Sequence, residues 1–453
     1  MTTTFGWLQI VRLGLAQTAL GAVVVLTTST LNRVMVVELA LPALVPGLLV
    51  ALHHASQALR PRWGFGSDRG GRRTPWIVGG MALLSAGGTL AAIATAAMAE
   101  SLPLGLTLGV LAFLMIGVGV GACGTNLLVL LASHVADRRR PAAATIVWVM
   151  MIAGFVVTGG AAGHALDPFS SGRLVAVCAA VCVIAFLVAV AATWRLEPME
   201  SPEERRPVQA AVPFRVALAT VGNEPAARRF TLFVLASMLA YSMQDLILEP
   251  FAGLVFGMTP GETTRLSGLQ NAGTLAGMVG VGLLAGVFGE ARDGLLGRWI
   301  VGGCLASAGA LGMIALAGAT ASDAALVPAV FALGLGNGAF AVAAIGSMMG
   351  LAGRGDPATR GVRMGLWGAA QAIGFGFGGL LGAAAADLAR TAFGSASAAY
   401  ACVFLAEGAL FLACAAYALR LGRNETAAPA AARPSSTPWR AEAAWPADGR
   451  ATP

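Results

Sequence analysis

Charged residues are scarce in this sequence. Asp, Glu, Lys and Arg make up 11% of its 453 residues, whereas hydrophobic residues make up 57%. Soluble domains carry about 25% charged residues, and one soluble core cannot bury so many long apolar segments. The sequence therefore excludes an ordinary soluble domain and predicts an all-α integral membrane protein.

Groups that could carry catalytic chemistry are scarce as well. The chain has three tyrosines and four histidines, and we find no phosphate loop, no Gly-x-Ser-x-Gly motif, no paired His/Cys metal spacing and no Asp-rich prenyltransferase motif. The six cysteines all fall inside apolar runs, where cysteine behaves as a small hydrophobic residue. We predict that the protein is not an enzyme, holds no metal site and carries no covalently bound cofactor.

Apolar runs long enough to cross a bilayer recur along the chain. A membrane-spanning helix needs about 20 apolar residues, and about twelve runs reach that length. Their approximate limits are 10–31, 41–59, 75–98, 103–131, 142–163, 173–194, 230–256, 265–288, 297–318, 325–350, 363–386 and 396–421. The first run is too long for the apolar region of a signal peptide, so we expect it to be retained as a helix.

Arginine indicates how these spans are oriented. The loops after spans 2, 4 and 6, at 60–73, 137–140 and 195–229, are rich in arginine, and the loops after odd-numbered spans are not. Arginine-rich loops stay on the cytoplasmic side, so we predict that both termini are cytoplasmic. The net charge of +7 then reflects membrane topology, and we expect no nucleic-acid partner.

The spans fall into two groups of six. Residues 195–229 are polar and proline-rich and hold no span, which predicts an N-terminal six-helix half at 1–194, a cytoplasmic central loop at 195–229 and a C-terminal six-helix half at 230–422. Residues 423–453 are rich in Ala, Pro and Ser and have no hydrophobic period. This composition predicts a disordered cytoplasmic tail.

A charged loop motif recurs in both halves. Its first copy consists of Gly64, Asp68, Arg69, Gly71, Arg72 and Arg73, and its second of Gly286, Glu290, Arg292 and Gly294. The first copy resembles the signature loop of the major facilitator superfamily, which implies two related six-helix halves. We expect Thr74 to cap the following helix and Pro75 to begin it. Glycine-rich strings at 154–163 and 374–379 predict close helix contacts at matching positions.

Ionisable side chains occur at membrane depth in spans 1 and 7. The stretch LNRVMVVELALP contains Arg33 and Glu38, and Asp245 and Glu249 follow in span 7. Such groups cost about 2.5–3.5 kcal/mol each on insertion scales, which favours a functional site, although Arg33 and Glu38 could instead mark the membrane surface. An unbroken α-helix would place Val37, not Glu38, on the face of Arg33. We therefore predict that Arg33 and Glu38 do not pair along the helix, and our hypothesis is that Arg33 meets Asp245 across the two halves.

The same region resembles a particular family. Residues 27–80, and above all the string Leu-Asn-Arg-Val-Met-Val-Val-Glu-Leu at 31–39, resemble the PucC branch of the bacteriochlorophyll delivery family, membrane proteins of photosynthetic bacteria related to the major facilitator superfamily. The resemblance implies an assembly factor for the peripheral light-harvesting complex, located in the intracytoplasmic inner membrane. Its implied partners are the antenna α and β polypeptides and bacteriochlorophyll or the machinery that synthesises it. Two alternatives stay open, a major facilitator-type secondary transporter of a small solute and a structural scaffold, and whether the protein forms a homo-oligomer is a separate open question.

Pigment binding directs attention to histidine and amide side chains. The Mg ion of bacteriochlorophyll takes one axial ligand, usually an imidazole nitrogen. His53 and His54 lie inside span 2 and differ in direction by about 100°, and each could instead form a hydrogen bond to Gln57 or to the backbone. Asn126 and Gln371 are intramembrane amides that we expect to bond across helices or to meet the pigment. The candidate binding residues, with bacteriochlorophyll as a transient ligand, are Arg33, Glu38, His53, His54, Asn126, Asp245, Glu249 and Gln371.

Overall fold

The computed structural model describes residues 5–57, 72–136, 139–197, 224–288, 295–354 and 360–427. Across these ranges the chain is helical and contains no strand. Four residues of the loop motif, Gly64, Asp68, Arg69 and Gly71, lie outside the described residues, as do most of the central loop and the end of the tail.

Helices occupy the positions of all twelve predicted spans. They are α1, Trp7–Glu38; α2, Leu44–Ser56; α3, Thr74–Met98; α4, Leu102–His134; α5, Arg140–Ala165; α6, Ser171–Thr193; α7, Pro225–Met243 continued by Leu248–Phe256; α8, Pro260–Phe288; α9, Leu295–Thr320; α10, Asp323–Arg354; α11, Arg360–Phe393; and α12, Ala396–Ala427. The prediction of an all-α fold is confirmed.

Ten of these helices are long and apolar enough to cross a membrane. The remaining two are α2, an apolar helix of 13 residues, and α8, which is 29 residues long but carries polar groups such as Glu262, Arg265 and Asn271. Arg265 and the hydroxyls of Thr264 and Ser267 lie where the two groups of helices meet, which contributes to the lower hydropathy of this helix. The protein is a multi-pass membrane protein.

The helix packing repeats after six helices. In the first group α1 packs on α5 and α6, α3 packs on α4 and α6, and α2 packs on α4. In the second group α7 packs on α11 and α12, α9 packs on α10 and α12, and α8 packs on α10. Each helix in the first group thus has an equivalent six positions later, as a duplicated transporter fold requires.

Two joints connect the groups, α5 against α8 and α2 against α11. These joints are equivalent under the same six-helix shift. Buried apolar residues form one core from the first group and another from the second, and Leu246 of α7 belongs to the core of the first. The α7 segment around Leu246 therefore enters the opposite half.

Glycines allow the close approach at both joints. A Cβ atom on Gly159 of α5 would lie 2.7 Å from the Cα of Gly268 on α8. At the other joint, a Cβ on Gly376 of α11 would lie 3.1 Å from the Cβ of His54 on α2. The glycine strings at 154–163 and 374–379 thus form helix contacts, as predicted from their small size.

Helices α1 and α7 are irregular at corresponding places. Helix α1 contains two π-helical stretches, Leu26–Thr30 and Val34–Glu38, and α7 is interrupted by a 3-10 turn at Gln244–Leu246. The interrupted parts of the two helices lie against each other. Departures from α-helical geometry within a helix often occur at functional sites.

The start of α3 differs from our expectation. The helix begins at Thr74 with Pro75 in its first turn, but the Thr74 side chain does not act as the cap. Glu197, which follows α6, supplies the carboxylate that accepts from the backbone N–H groups of Arg73 and Thr74 at 2.8–2.9 Å. A carboxylate at this position also complements the positive end of the helix, and it anchors the loop-motif residue Arg73 to the end of α6.

Candidate functional site

Two aspartates hold the halves together at equivalent joints. Asp387 of α11 accepts hydrogen bonds from the backbone N–H groups of Ala43 and Leu44, at 2.9 and 2.8 Å, at the start of α2. Asp167, after α5, accepts from the hydroxyl of Thr259 at 2.9 Å and pairs with Arg265 of α8 at 2.9 Å. In both cases a carboxylate at the end of an odd-numbered helix holds the start of an even-numbered helix of the other half.

Polar side chains of α1 meet α7 and α8 at the same end of the molecule. Asn32 donates to the backbone oxygen of Leu246 at 2.8 Å. Two hydroxyl pairs join α1 to α8, each at 3.0 Å: Ser29 with Ser267 and Thr30 with Thr264. The halves are therefore linked through buried polar groups as well as through glycine contacts.

Arg33 pairs with Glu38, contrary to our prediction. Arg33 is buried, with 2% of its side chain exposed, and its guanidinium makes an ion pair with Glu38. The prediction assumed an α-helix, but residues 34–38 form a π-helix, in which the hydrogen-bonding repeat is five residues. That repeat brings side chains at i and i+5 onto one face, so the pair forms within α1.

The guanidinium of Arg33 also crosses into the other half. Its Nη2 donates to the backbone oxygen of Met258, which follows α7. A Cβ atom on Gly253 of α7 would lie 3.0 Å from this nitrogen, so glycine at that position leaves room for the guanidinium. The Nε atom of Arg33 is buried and has no hydrogen-bond partner among the described residues.

The hypothesis that Arg33 meets Asp245 is wrong in this structure. Arg33 lies against Glu38 and Met258, whereas Asp245 interacts electrostatically with Tyr241 of α7 and with Glu407 of α12. The 3-10 turn separates Asp245 from the α-helical segment that follows, so Glu249, rather than Asp245, is the acid of α7 that neighbours Arg33.

Glu249 lies at the centre of this polar region. Its side chain is 2% exposed, and within the described residues no donor meets either carboxylate oxygen at full hydrogen-bond geometry, although three hydroxyls lie beside it. The groups that face it are the guanidinium of Arg33 and the hydroxyls of Ser29, Thr263 and Ser267. A buried carboxylate surrounded by donors from both halves can hold a proton or a cation, or can receive a polar group of a ligand.

Glu407 is a buried acid that our reading of the sequence missed. It is 0% exposed, and in the part of the chain that the structure describes both of its carboxylate oxygens lack hydrogen-bond partners. The signal was available, because Glu407 is a single acidic residue inside the apolar stretch ACVFLAEGALFLA. Ionisable residues at membrane depth are functional candidates.

The two intramembrane histidines have different surroundings. His53 is buried, and its Nε2 lies 3.1 Å from Nε2 of Gln57, which is the local interaction that we left open. The ring of His54 stacks on Phe375 of α11 with 6.2 Å between centroids, and Tyr241 of α7 meets the same phenyl ring at 5.5 Å. His54 thus belongs to an aromatic group at the α2–α11 joint.

The remaining candidates lie apart from these groups. Asn126 donates to the backbone oxygen of Ala122 at 2.8 Å. Its NH2 group therefore bonds within its own helix, whereas we had expected a bond across helices. Gln371 of α11 contacts the sulfur of Met238 on α7 at 3.8 Å. The structure therefore brings Arg33, Glu38 and Glu249 together and places His54 at the α2–α11 joint, whereas Asn126 and Asp245 belong to neither group.

Comparison with known proteins yields a family and two close relatives. Residues 30–426 match the PUCC protein family. The chain is 53% identical over 415 residues to the bacteriochlorophyll synthase 44.5 kDa chain of Rhodobacter capsulatus, which covers 91% of this chain and 95% of that protein. It is 32% identical over 382 residues to Protein PucC of Cereibacter sphaeroides, which covers 81% of each.

Solved structures of transporters share the fold. A bacterial homologue of the human lysosomal transporter Spinster, in an inward-facing and unoccupied conformation, aligns with a TM-score of 0.64 over 92% of this chain and 96% of that chain, at 16% identity. The nucleoside transporter NupG aligns with a TM-score of 0.63 over 91% of this chain, at 12% identity. At such identity the likeness concerns the fold alone, and it confirms the expected major facilitator architecture.

Proposed function

The chain belongs to the PUCC protein family, and from this premise we propose that it is an assembly factor for the peripheral light-harvesting antenna of a photosynthetic bacterium. In this proposal it brings bacteriochlorophyll together with the small antenna α and β polypeptides inside the bilayer. The observation that carries the proposal is the family match over residues 30–426. It agrees with the resemblance found at residues 31–39 in the sequence.

A role of this chain with bacteriochlorophyll is supported by the more similar of the two relatives named above. That protein, at 53% identity, is called a chain of bacteriochlorophyll synthase, so its name connects it with the pigment. We propose that the present chain handles bacteriochlorophyll transiently and does not itself catalyse a step of its synthesis. The transporter-like fold supports this view, because such folds position ligands between two halves without changing them.

We propose the α2–α11 joint as the place where the pigment is held. A chlorin is a flat apolar ring system that stacks well on aromatic side chains. The ring of His54 lies beside Phe375, and Tyr241 contacts the same phenyl ring. An imidazole nitrogen is the usual axial ligand of the pigment Mg ion. His54 would supply that nitrogen and Phe375 a stacking surface.

The membrane and the orientation belong to the same proposal. We place the protein in the intracytoplasmic inner membrane with both termini in the cytoplasm, because the arginine-rich loops share one side. In that orientation the joints held by Asp167 and Asp387 lie toward the opposite side. Antenna polypeptides with single spans could then approach the helices from within the bilayer.

A secondary transporter is the second candidate function. The observation that favours it is the polar region between α1, α7 and α8, where Glu249 lies next to Arg33. Buried ionisable residues where the halves of a transporter meet commonly mark a substrate or ion pathway. This candidate predicts solute uptake by proteoliposomes, which an assembly factor does not require.

A deletion strain separates these functions. Loss of the protein should remove the peripheral antenna bands from the membrane absorption spectrum, while total bacteriochlorophyll in solvent extracts stays measurable. Normal antenna bands in the deletion strain would contradict the assembly role. Absence of the pigment itself would indicate an enzymatic role, as the relative's name allows.

Variants of single histidines test the pigment site. In the complemented deletion strain the His54→Phe variant should fold, but less pigment should copurify with it than with the wild-type protein. His164→Phe is the matched control, because His164 is exposed and lies in the last turn of α5, outside the aromatic group. Equal pigment in the two variants would rule out His54 as the ligand.

A further inference from the structure

We propose that Glu249 and the hydroxyls around it form a binding site for one monovalent cation, a proton or Na⁺, shared by the two halves. The site goes beyond the assembly function proposed above. Its ligand groups come from α1 through Ser29, from α7 through Glu249 and from α8 through Thr263 and Ser267.

Unsatisfied polar atoms point to an occupant at this position. Both oxygens of the Glu249 carboxylate are buried, and among the described residues neither accepts a hydrogen bond of full geometry from the hydroxyls beside it. A buried polar group without partners carries a free-energy cost of about 1–3 kcal/mol, so an occupant that contacts these atoms would be bound favourably.

The charges decide the kind of occupant. Arg33 is already paired with Glu38, which leaves Glu249 as the uncompensated charge among the groups that face one another here. Toward α12 the surroundings of this segment are aromatic, since Phe251 packs on Phe404. One excess negative charge calls for one positive charge, and the nearby guanidinium disfavours a divalent ion.

The oxygen donors suit a proton or Na⁺ equally well. A carboxylate and three hydroxyls offer oxygen atoms that bind small hard cations. If the carboxylate instead binds a proton, the resulting O–H can donate a hydrogen bond to one of the neighbouring hydroxyl oxygens. The hydroxyl pair of Ser29 and Ser267, at 3.0 Å, already bridges the halves beside Glu249. A cation at this point would add a second bridge.

The helix geometry supports the same site. Irregular segments at corresponding positions of two repeated halves are where transporter folds bind coupling ions. Here the irregular segments are Leu26–Thr30 of α1 and the turn at Gln244–Leu246 of α7. Ser29 lies in the first segment, and Glu249 follows the second by one helical turn.

The test uses the full-length protein purified in detergent, with NaCl compared against choline chloride at equal ionic strength. If Na⁺ is the occupant, Na⁺ should raise the thermal unfolding midpoint of the wild type, and Glu249→Gln should abolish that rise. If a proton is the occupant, infrared difference spectra between low and high pH should show a protonated carboxyl band that is absent in Glu249→Gln. In that case Na⁺ should have no effect on the midpoint.

A second buried acid provides the matched control. Glu407→Gln also removes a fully buried carboxylate that has no hydrogen-bond partner within the described ranges, but Glu407 lies on α12 beside Asp245 rather than among the hydroxyls. The control should keep the Na⁺ response, or the Glu249 band, of the wild type. If neither Na⁺ nor pH produces a signal that depends on Glu249, the proposed site does not exist.

A milder variant keeps the test open if Glu249→Gln does not fold. Ser267→Ala removes one hydroxyl ligand and should weaken Na⁺ binding about tenfold, or shift the pH midpoint of the carboxyl band by about one pH unit. An unchanged response in Ser267→Ala would overturn the assignment of this hydroxyl and, with it, the shared site. These signals are independent of pigment and antenna, so the cation site and the assembly role can fail separately.

Discussion

The two six-helix halves share a packing scheme but bury charge differently. In the first half, Arg33 is opposed by Glu38 within the same helix. In the second half, Asp245, Glu249 and Glu407 lie inside α7 and α12, and none of the three makes an ion pair within the described part of the chain. The duplicated scaffold has thus kept its helix contacts while its polar groups diverged.

This difference assigns separate roles to the halves. The paired charge of the first half locks α1 against the end of α7, because Arg33 also donates to Met258. The unpaired acids of the second half can change protonation or bind a positive group without breaking an ion pair. We therefore expect substitution of Arg33 to affect stability and substitution of Glu249 to affect the response to a cation.

Removal of Arg33 should have the largest effect. Arg33→Ala leaves Glu38 and Glu249 without their positive neighbour, and we expect a loss of about 3 kcal/mol, the lower end for breaking a buried ion pair, because Glu38 is 36% exposed. Denaturant titration in mixed micelles measures this loss. A loss no greater than that of an exposed arginine such as Arg72 would contradict it.

Double-mutant cycles sharpen the same comparison. Arg33→Ala and Glu38→Ala should be non-additive, because the two side chains touch. Arg33→Ala and Asp245→Ala should be close to additive, since the structure places Asp245 with Glu407 instead. Coupling between Arg33 and Asp245 without coupling between Arg33 and Glu38 would support the Arg33–Asp245 pairing that we first expected from the sequence.

The glycine joint between α5 and α8 should give the next largest effect. In Gly159→Ala the new methyl group would lie 2.7 Å from the backbone of Gly268, and overpacking of this kind costs about 1–3 kcal/mol. Gly160→Ala is the control, because a Cβ there meets no atom of the described residues within 4 Å. Thermal unfolding should distinguish the two variants, and equal midpoints would show that the joint is looser than described.

Loss of the Asp387 carboxylate at the α2–α11 joint should destabilise the protein more than loss of the Asp167 carboxylate at the equivalent α5–α8 joint. Asp387→Ala removes two hydrogen bonds to backbone N–H groups at the start of α2, and loss of such a cap costs about 1 kcal/mol. The measurement is the free energy of unfolding, supported by proteolysis of the segment before α2. An Asp387→Asn variant, which keeps an oxygen acceptor, should lose less.

Asp167 should show the smallest effect. Its ion pair with Arg265 is about one-third exposed on each side, and surface pairs contribute about 0.2–1 kcal/mol. Asp167→Ala should therefore destabilise the protein less than Asp387→Ala, and added salt should reduce the difference from wild type. The reverse order would mean that the α5–α8 joint depends on this carboxylate more than on its glycines.

Several features of the fold could be predicted from apolar length alone. All twelve predicted spans have helices at their positions, because a run of about 20 apolar residues has few alternatives to a membrane helix. The glycine strings also indicated the α5 and α11 contacts, since only small residues allow that approach.

The candidate site was predicted less well. Arg33 and Glu249 were recognised as buried functional candidates, but the partner of Arg33 was wrong because the sequence does not reveal a π-helix at Val34–Glu38. Glu407 was overlooked although its apolar setting marked it. Asp387, which accepts hydrogen bonds from the start of α2, carried no local signal in the sequence, since its partners lie more than 300 residues earlier.

Apolar composition and the spacing of arginine by themselves determined that this protein is a duplicated helical membrane protein, and a short string at 31–39 was enough to recognise its family. Tertiary structure alone decided which acid meets Arg33, which carboxylates hold the joints and which histidine faces the other half. The physical reason is that hydrophobic length acts locally along the chain. Buried charges, in contrast, are placed by helix register and by packing between segments that are distant in sequence.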